Sequence, residues 1–217
     1  MRNQEKKLPV FSMYDSLLEI GTTRKFKKGR TIFSEGDKAT FLPIVIEGTV
    51  KIVRFLEPGK EMILNVFRDG DVFAIPPVLD GGNYPATAIA MEDSRLLLVP
   101  RVDFLRMVNE RDEFSQMALS TMSKLLNETT SSMTNLATAS PEIRVGNVLL
   151  RLMTKDGGTP PYKIQFRRRD IADMSGLTTE TTIRAIKKLE ENNLLRIVQG
   201  KIVIDNPALI SNFISQY

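Results

Sequence analysis

Apolar residues change their spacing along the chain, and each spacing is typical of a different structure. Between residues 22 and 99, short β-branched runs such as LPIVIEGTVKIVRFL and KEMILNVF are separated by glycine turns. Turns at intervals of about ten residues predict an antiparallel barrel or sandwich. The residues before this region, 1–20, carry apolar side chains in a helical pattern, and a helix is predicted there.

A long helix is predicted from Arg111, because its apolar residues keep an unbroken 3-4-3-4-3 spacing. This spacing is typical of the seam of a two-stranded coiled coil and predicts a homodimer. The alternative is a helix packed against its own domain, for which a 3.5-residue spacing of apolar residues is less necessary. Thr129 is the polar member of the seam and is expected to help fix its register. The candidate interface residues are Leu119, Met122, Leu126, Thr129, Met133 and Leu136.

The C-terminal part combines helices with short strands. Ser140 and Pro141 predict the start of a helix, since serine caps an N-terminus and proline suits the first helical position. A short strand is predicted at residues 162–166 and a hairpin wing at residues 195–204. Between them, Gly176 ends a short helix and Thr178 caps a longer one. The buried side of the longer helix is predicted from Thr182, Ala185, Ile186 and Leu189.

The opposite side of this longer helix carries side chains that can read DNA. A short helix, a glycine turn and a longer helix with a cationic outer face describe a helix-turn-helix. Arg184 can make a bidentate contact to guanine, Glu180 can accept from the cytosine amino group, and Ile183 can contact a thymine methyl. Thr179 completes the candidate base-contacting set. The alternative is a solvated face with an ordinary Glu180–Arg184 ion pair, worth ~0.3–0.5 kcal/mol.

Charge supports the DNA interpretation. Residues 1–140 carry 18 basic and 18 acidic side chains, whereas residues 141–217 carry 12 and 8. The whole positive excess therefore lies beside the predicted reading helix. Any single cation there has the alternative of being merely solvated. The candidate phosphate contacts are Arg167, Arg168, Arg169, Thr178, Thr181, Lys188 and Lys201.

The chain contains neither cysteine nor histidine, which removes much chemistry. Disulfides and cysteine-held iron–sulfur clusters are excluded, zinc loses its preferred ligands, and haem would need Met or Tyr alone. Histidine-based triads cannot form, and no phosphate-binding loop motif is present. We therefore predict no enzyme, no metal and no cofactor. Without a signal peptide or an apolar stretch of ~18 residues, a cytoplasmic protein that does not enter the membrane is expected.

The segment GLTTETTIRAIKKLEENNLL resembles the helix-turn-helix of the Crp/Fnr family of bacterial transcription regulators. Upstream, KKGRTIFSEGD, IVIEGTVKIV, PGKEMIL and RDGDVFA fall in the order of that family's effector domain. The resemblance implies an α+β protein with an N-terminal antiparallel β-roll, a jelly-roll of the cyclic-nucleotide-binding type, over residues 1–111. A dimerisation helix would cover residues 112–139, and a winged helix-turn-helix residues 140–217.

The same resemblance implies a homodimeric, sequence-specific regulator on a palindromic operator of double-stranded DNA. Glu180 and Arg184 match the family's base-reading pair. Allosteric control by a small-molecule effector is implied, with RNA polymerase as a partner if the protein is an activator.

The ligand site departs from the family's cyclic-nucleotide binders. In those proteins a glutamate binds the ribose, and this chain has Ile75 at that position. An arginine followed by a small hydroxyl residue binds the cyclic phosphate, and this chain has Pro85 and Ala86 there. An apolar side chain cannot accept from the ribose, and proline offers a phosphate neither charge nor an N–H group. These residues disfavour cAMP and cGMP and favour a less charged effector. The candidate pocket residues are Ile75, Tyr84, Pro85, Ala86, Thr87, Thr129 and Thr130.

Three alternatives stay open at this point. The chain could be a ligand-binding module whose helix-turn-helix contacts protein. It could be a haem-based nitric-oxide or redox sensor with Met or Tyr ligation, since the loop sequence PATA resembles the redox-responsive subfamilies. Or it could bind DNA constitutively, without any effector.

Overall fold

The computed structural model describes residues 16–57 and 60–215, with backbone only at residues 60, 128 and 131–138. The helix predicted over residues 1–20 is present at residues 16–20 (α1), and the rest of that prediction lies outside the described residues. Along the described chain no helix is long and apolar enough to cross a bilayer.

Two antiparallel sheets form the N-terminal half and confirm the predicted β-roll. One sheet has the strand order β1-β7-β3 and the other the order β2-β6-β4-β5. Two short helices follow strands in this half, α2 after β5 and α3 after β7. The elements are β1 (Thr22–Phe26), β2 (Thr31–Phe33), β3 (Phe41–Glu47), β4 (Val50–Glu57), β5 (Lys60–Phe67), α2 (Ile75–Asp80), β6 (Thr87–Ala90), β7 (Ser94–Pro100) and α3 (Arg101–Glu110).

Strand β7 lies at the centre of its sheet, and four consecutive residues from Leu96 to Val99 are buried. A strand covered on both faces loses the alternation of apolar and polar residues, which explains the continuous run LLLV. The buried cluster around β7 includes Leu17 of α1, Phe104 of α3 and Phe114. Helices therefore close one face of this sheet.

The C-terminal half confirms the winged helix-turn-helix. Its sheet has the strand order β8-β10-β9, and the predicted strand at residues 162–166 is shorter than expected. A final helix, which the sequence pattern did not predict, packs Ile210 close to Gly146. The elements are α4 (Asp112–Thr138), α5 (Pro141–Lys155), β8 (Tyr162–Lys163), α6 (Arg168–Ser175), α7 (Thr179–Glu191), β9 (Arg196–Val198), β10 (Lys201–Ile204) and α8 (Pro207–Ser215).

The chain forms two compact units. Among the described residues, one unit comprises 16–57 and 64–127, and the other comprises 60–63 and 128–215. The predicted three-part division, with a separate helix at residues 112–139, stays a prediction. Helix α4 covers that range almost completely but contributes residues to both units.

Candidate nucleic-acid interface

The turn between α6 and α7 is built by Gly176 and Thr178. Gly176 has φ 62° and ψ 37°, and its N–H donates to the carbonyl of Ala172, which ends α6. The hydroxyl of Thr178 accepts from the N–H of Thr181 at 3.2 Å, which starts α7. Both capping predictions are confirmed, because each residue supplies the backbone geometry or the acceptor that a helix end requires.

Helix α7 has one buried side and one exposed side. The predicted buried set is confirmed, since Thr182, Ala185, Ile186 and Leu189 are all at most 2% exposed. The four candidate base contacts lie on the exposed side, where Ile183 is 49% exposed. The side chain of Ile183 is therefore accessible for contact with a ligand.

Glu180 and Arg184 do not form the ion pair that their spacing allowed. Among the described residues, no ion pair within 4.0 Å includes either side chain, whereas Lys187 and Glu191 on the same helix approach to 3.8 Å. An exposed pair at this spacing contributes only ~0.3–0.5 kcal/mol, too little to hold two long side chains together. Both groups therefore point separately into solvent from the first two turns.

The candidate phosphate contacts divide by exposure. Arg167, Arg169 and Thr178 are exposed around the start of α6 and α7, while Thr181 and Lys201 are half-buried. Arg169 Nε lies 3.9 Å from a carboxylate oxygen of Asp173, a loose contact. The hydroxyl of Thr178 also donates to Thr181 Oγ1 at 2.9 Å. Thr178 and Thr181 lie at the N-terminal end of α7, where helix N–H groups favour anions, whereas Arg167 and Arg169 lie at the start of α6.

Two of the predicted phosphate contacts already have partners inside the domain. Arg168 Nη2 donates to the carbonyl of Gly200 at 3.3 Å, which ties α6 to the wing. Burial lowers the pKa of Arg168, against the opposing charge of Glu190. Lys188 Nζ lies 3.1 Å from Glu142 Oε1. Arg168 is half-buried, whereas the side chain of Lys188 is 62% exposed beside Glu142, and a phosphate contact of either residue stays a prediction.

Two residues of α5 that the sequence pattern did not indicate contact the helix-turn-helix. Arg144 Nη2 donates to the carbonyls of Ser175 at 2.5 Å and Gly176 at 2.9 Å, and burial lowers its pKa. Burial raises the pKa of Glu142, but hydrogen bonds from its own backbone N–H, Lys188 and Ser140 outweigh it and leave the pKa lowered. The contacts with Ser175, Gly176 and Lys188 join residues 31 to 46 positions apart, and no local pattern indicates them.

The wing is held against the end of α7. Arg196 donates to both carboxylate oxygens of Asp205, at 2.5 and 3.0 Å, across the β9–β10 hairpin. The N–H of Ile197 donates to Glu190 Oε1 at 3.0 Å. Gln199 at φ 49° and Gly200 at φ 74° make the tight turn at its tip. Strand β9 is exposed throughout and stands beside the reading helix.

The candidate effector residues of the β-roll belong largely to its core. Tyr84 is 1% exposed, stacks on Phe33 with ring centroids 3.6 Å apart, and donates to the carbonyl of Phe41 at 2.6 Å. Ile75, Ala86 and Thr87 are also buried, and Thr87 Oγ1 accepts from the N–H of Glu35 at 3.0 Å. Pro85, Thr129 and Thr130 are exposed.

Three apolar residues of the predicted dimer seam are exposed in the protomer. Leu119 is 65%, Met122 37% and Leu126 68% exposed along α4. The side chains of Met133 and Leu136 lie outside the described residues. Within the described part of the chain, no group of three or more His, Cys, Asp or Glu side chains could hold a metal ion.

Comparison with known proteins matches both halves. A cyclic nucleotide-binding domain matches residues 23–111, and a Crp-like helix-turn-helix domain matches residues 143–212. The cyclic AMP receptor protein of Thermus thermophilus is 28% identical over 196 residues, covering 90% of this chain and 89% of that protein. The nitrogen fixation regulation protein FixK of Bradyrhizobium diazoefficiens is 27% identical over 195 residues, covering 88% and 81%. The solved structure of FixK2 from Bradyrhizobium japonicum has a TM-score of 0.78 at 24% identity, covering 89% and 96%.

Proposed function

Because the chain belongs to the Crp/Fnr family of transcription regulators, which are not enzymes, we propose that it acts as a homodimer on a palindromic operator. The observation that carries the proposal is the exposed side of α7, where Thr179, Glu180, Ile183 and Arg184 project from a rigid helix. The recognition helix of a helix-turn-helix presents this N-terminal part to the major groove.

In this proposal each exposed side chain has a definite partner in the groove. The guanidinium of Arg184 binds O6 and N7 of a guanine, and the carboxylate of Glu180 accepts from a cytosine amino group. Ile183 contacts a thymine methyl, which accounts for an apolar residue on a solvated face. The hydroxyls of Thr178 and Thr181 contact backbone phosphates at the N-terminus of α7, and Arg167 and Arg169 contact phosphates from the start of α6.

The dimer forms along α4. Three successive apolar seam residues, Leu119, Met122 and Leu126, are exposed in the single chain, and a partner helix would bury them. Two copies then present one recognition helix each to successive major grooves, about 34–36 Å apart. The palindromic symmetry of the operator follows from the two-fold symmetry of the protein.

Control of DNA binding is assigned to the β-roll and α4. An effector acts by binding the two states of the dimer with different affinity, which shifts the DNA-binding units between unproductive and productive spacing. Ile75, Pro85 and Ala86 offer a cyclic nucleotide neither the ribose acceptor nor the phosphate donors. We therefore assign an effector other than cAMP or cGMP, and RNA polymerase as the partner if the bound dimer activates.

Selection of bound DNA from random duplexes tests the proposal. Purified protein, with and without cell extract, should enrich a palindrome whose half-sites are centred about 10–10.5 base pairs apart. A stronger enrichment with extract indicates an effector, and equal enrichment indicates constitutive binding. Recovery of no motif, or of a single unpaired half-site, contradicts the proposed dimeric reader. Transcription with purified RNA polymerase on the selected operator then distinguishes activation from repression.

A further inference from the structure

We infer that Arg144 and Glu142, in the first turns of α5, are positioning residues that set the direction of the recognition helix. The inference rests on the proposed reading of DNA by α7. It concerns two side chains whose polar groups bind other parts of the same domain.

Arg144 binds the end of α6 where backbone acceptors lack partners. The last carbonyls of a helix have no intrahelical donor, and they form the negative end of its dipole. Arg144 supplies the missing donors to Ser175 and Gly176, at 2.5 and 2.9 Å. In the described part of the chain no carboxylate lies within ion-pair distance of this half-buried guanidinium. The carbonyls are thus the groups that hold its charge in place.

The contact of Arg144 determines where α7 begins. Only Leu177 and the capping residue Thr178 lie between Gly176 and the first residue of α7. Gly176 is left-handed and Thr178 is extended at φ −72° and ψ 154°, so the turn has little freedom. A shift of the Gly176 carbonyl is therefore passed to Glu180 and Arg184, whose contacts to bases depend steeply on hydrogen-bond geometry.

Glu142 binds the other end of the same helix. Its side chain is 15% exposed, and its carboxylate lies 3.1 Å from the ammonium of Lys188 in the last turn of α7. The positions of Arg144 and Glu142, two residues apart, mean that the start of α5 holds α7 near both of its ends. The helix α5 begins at Pro141, three residues after α4 ends at Thr138. Helix α5 also packs directly against α6 and α7, so a change of chain direction there reaches the reading helix through this packing together with the two polar contacts.

This inference gives Lys188 a role different from phosphate contact, and the two roles predict opposite results. If Lys188 binds phosphate and Glu142 merely competes for it, Glu142→Gln frees the lysine and strengthens binding to any DNA. If Glu142 positions α7 through Lys188, the same change weakens binding to the operator alone. A phosphate contact also carries a salt dependence, with a slope of about −0.9 in log affinity against log salt for each contact.

The test compares Arg144→Gln, Arg144→Lys, Glu142→Gln and Lys188→Gln with the wild type. Arg169→Gln serves as the contrast, because this exposed arginine is proposed to bind phosphate. Affinity is measured across a salt series for the selected palindrome and for a random-sequence duplex of equal length, and thermal melting confirms folding. Arg144→Gln and Glu142→Gln should lose about tenfold on the palindrome, less than twofold on the random duplex, and keep the salt slope. Arg144→Lys should recover part of the loss, since it keeps a cation at the end of α6.

Other results would overturn the inference. Equal losses on both duplexes, the pattern expected of Arg169→Gln, would make Arg144 an electrostatic contact. Unchanged operator affinity, or a Glu142→Gln variant that binds more tightly, would end the positioning role. If Arg144→Gln does not fold, the affinities of Arg144→Lys and Glu142→Gln for the two duplexes test the positioning role by the same criteria. If the wild type binds the palindrome and the random duplex with equal affinity, the proposed function is contradicted. If only the positioning role is wrong, the wild type still prefers the palindrome.

Discussion

At the scale of single residues, Tyr84 illustrates how a candidate ligand group can belong to the core. Its ring stacks on Phe33, and its hydroxyl donates to the carbonyl of Phe41 at 2.6 Å. Burial raises the pKa of Tyr84 to about 12, against a smaller opposing effect of that hydrogen bond. The neutral phenol is thus the form that the fold stabilises, and its hydroxyl is already occupied.

Tyr84→Phe should lower the free energy of unfolding by about 1–1.5 kcal/mol at pH 7, because the carbonyl of Phe41 loses its donor. The wild type should also lose stability above pH 10, where the unfolded phenol ionises, and continue to lose it until the folded pKa near 12. At pH 11 this loss amounts to about 1.4 kcal/mol, and the phenylalanine variant should lack it. Urea unfolding of both proteins at pH 7 and pH 11 measures the difference. Identical pH dependence would mean that Tyr84 is not the buried phenol.

The sequence predicts the roles of residues that follow from local periodicity and capping. It does not predict the roles of residues whose partners lie far away in the chain. The outward side of α7 follows from a 3.6-residue period together with the capping chemistry of Gly176 and Thr178. Arg144 and Tyr84 gave no such signal, because each binds a carbonyl 31 or 43 positions away. The ion pair of Lys188 gave no signal in the sequence for the same reason, since its partner Glu142 lies on another helix.

At the scale of elements, the α6–α7 turn depends on one left-handed residue. Gly176 sits at φ 62°, a conformation that costs a residue with a Cβ atom about 1–2 kcal/mol. Gly176→Ala should therefore lower the free energy of unfolding by roughly that amount, and Gly176→Asn by less, because asparagine tolerates this region. Chemical unfolding of the three proteins checks the order. An alanine variant as stable as the wild type would show that the turn can adopt another geometry.

At the scale of the whole molecule, the proposal requires that two chains pair along α4. Leu126 is 68% exposed in the protomer, so replacing it changes little unless a partner covers it. Leu126→Asp places a charge in the seam and should convert the dimer to a monomer, with a loss of operator affinity of at least about 100-fold.

Sedimentation velocity and gel shift on the selected operator measure the two effects of Leu126→Asp together. Ser120→Asp provides the matched control, because this exposed residue of α4 lies outside the seam spacing. It should leave both the oligomeric state and operator binding unchanged. A Leu126→Asp protein that stays dimeric would place the interface elsewhere.

The central claim is that paired recognition helices read base edges through Arg184. The most direct measurement compares the wild type and Arg184→Ala on a panel of operators in which each base pair is replaced in turn. Arg184→Ala should lose about 1–3 kcal/mol of binding, and its discrimination should disappear at one guanine in each half-site while it persists at every other position. A variant that discriminates at every base pair as the wild type does would contradict the claim.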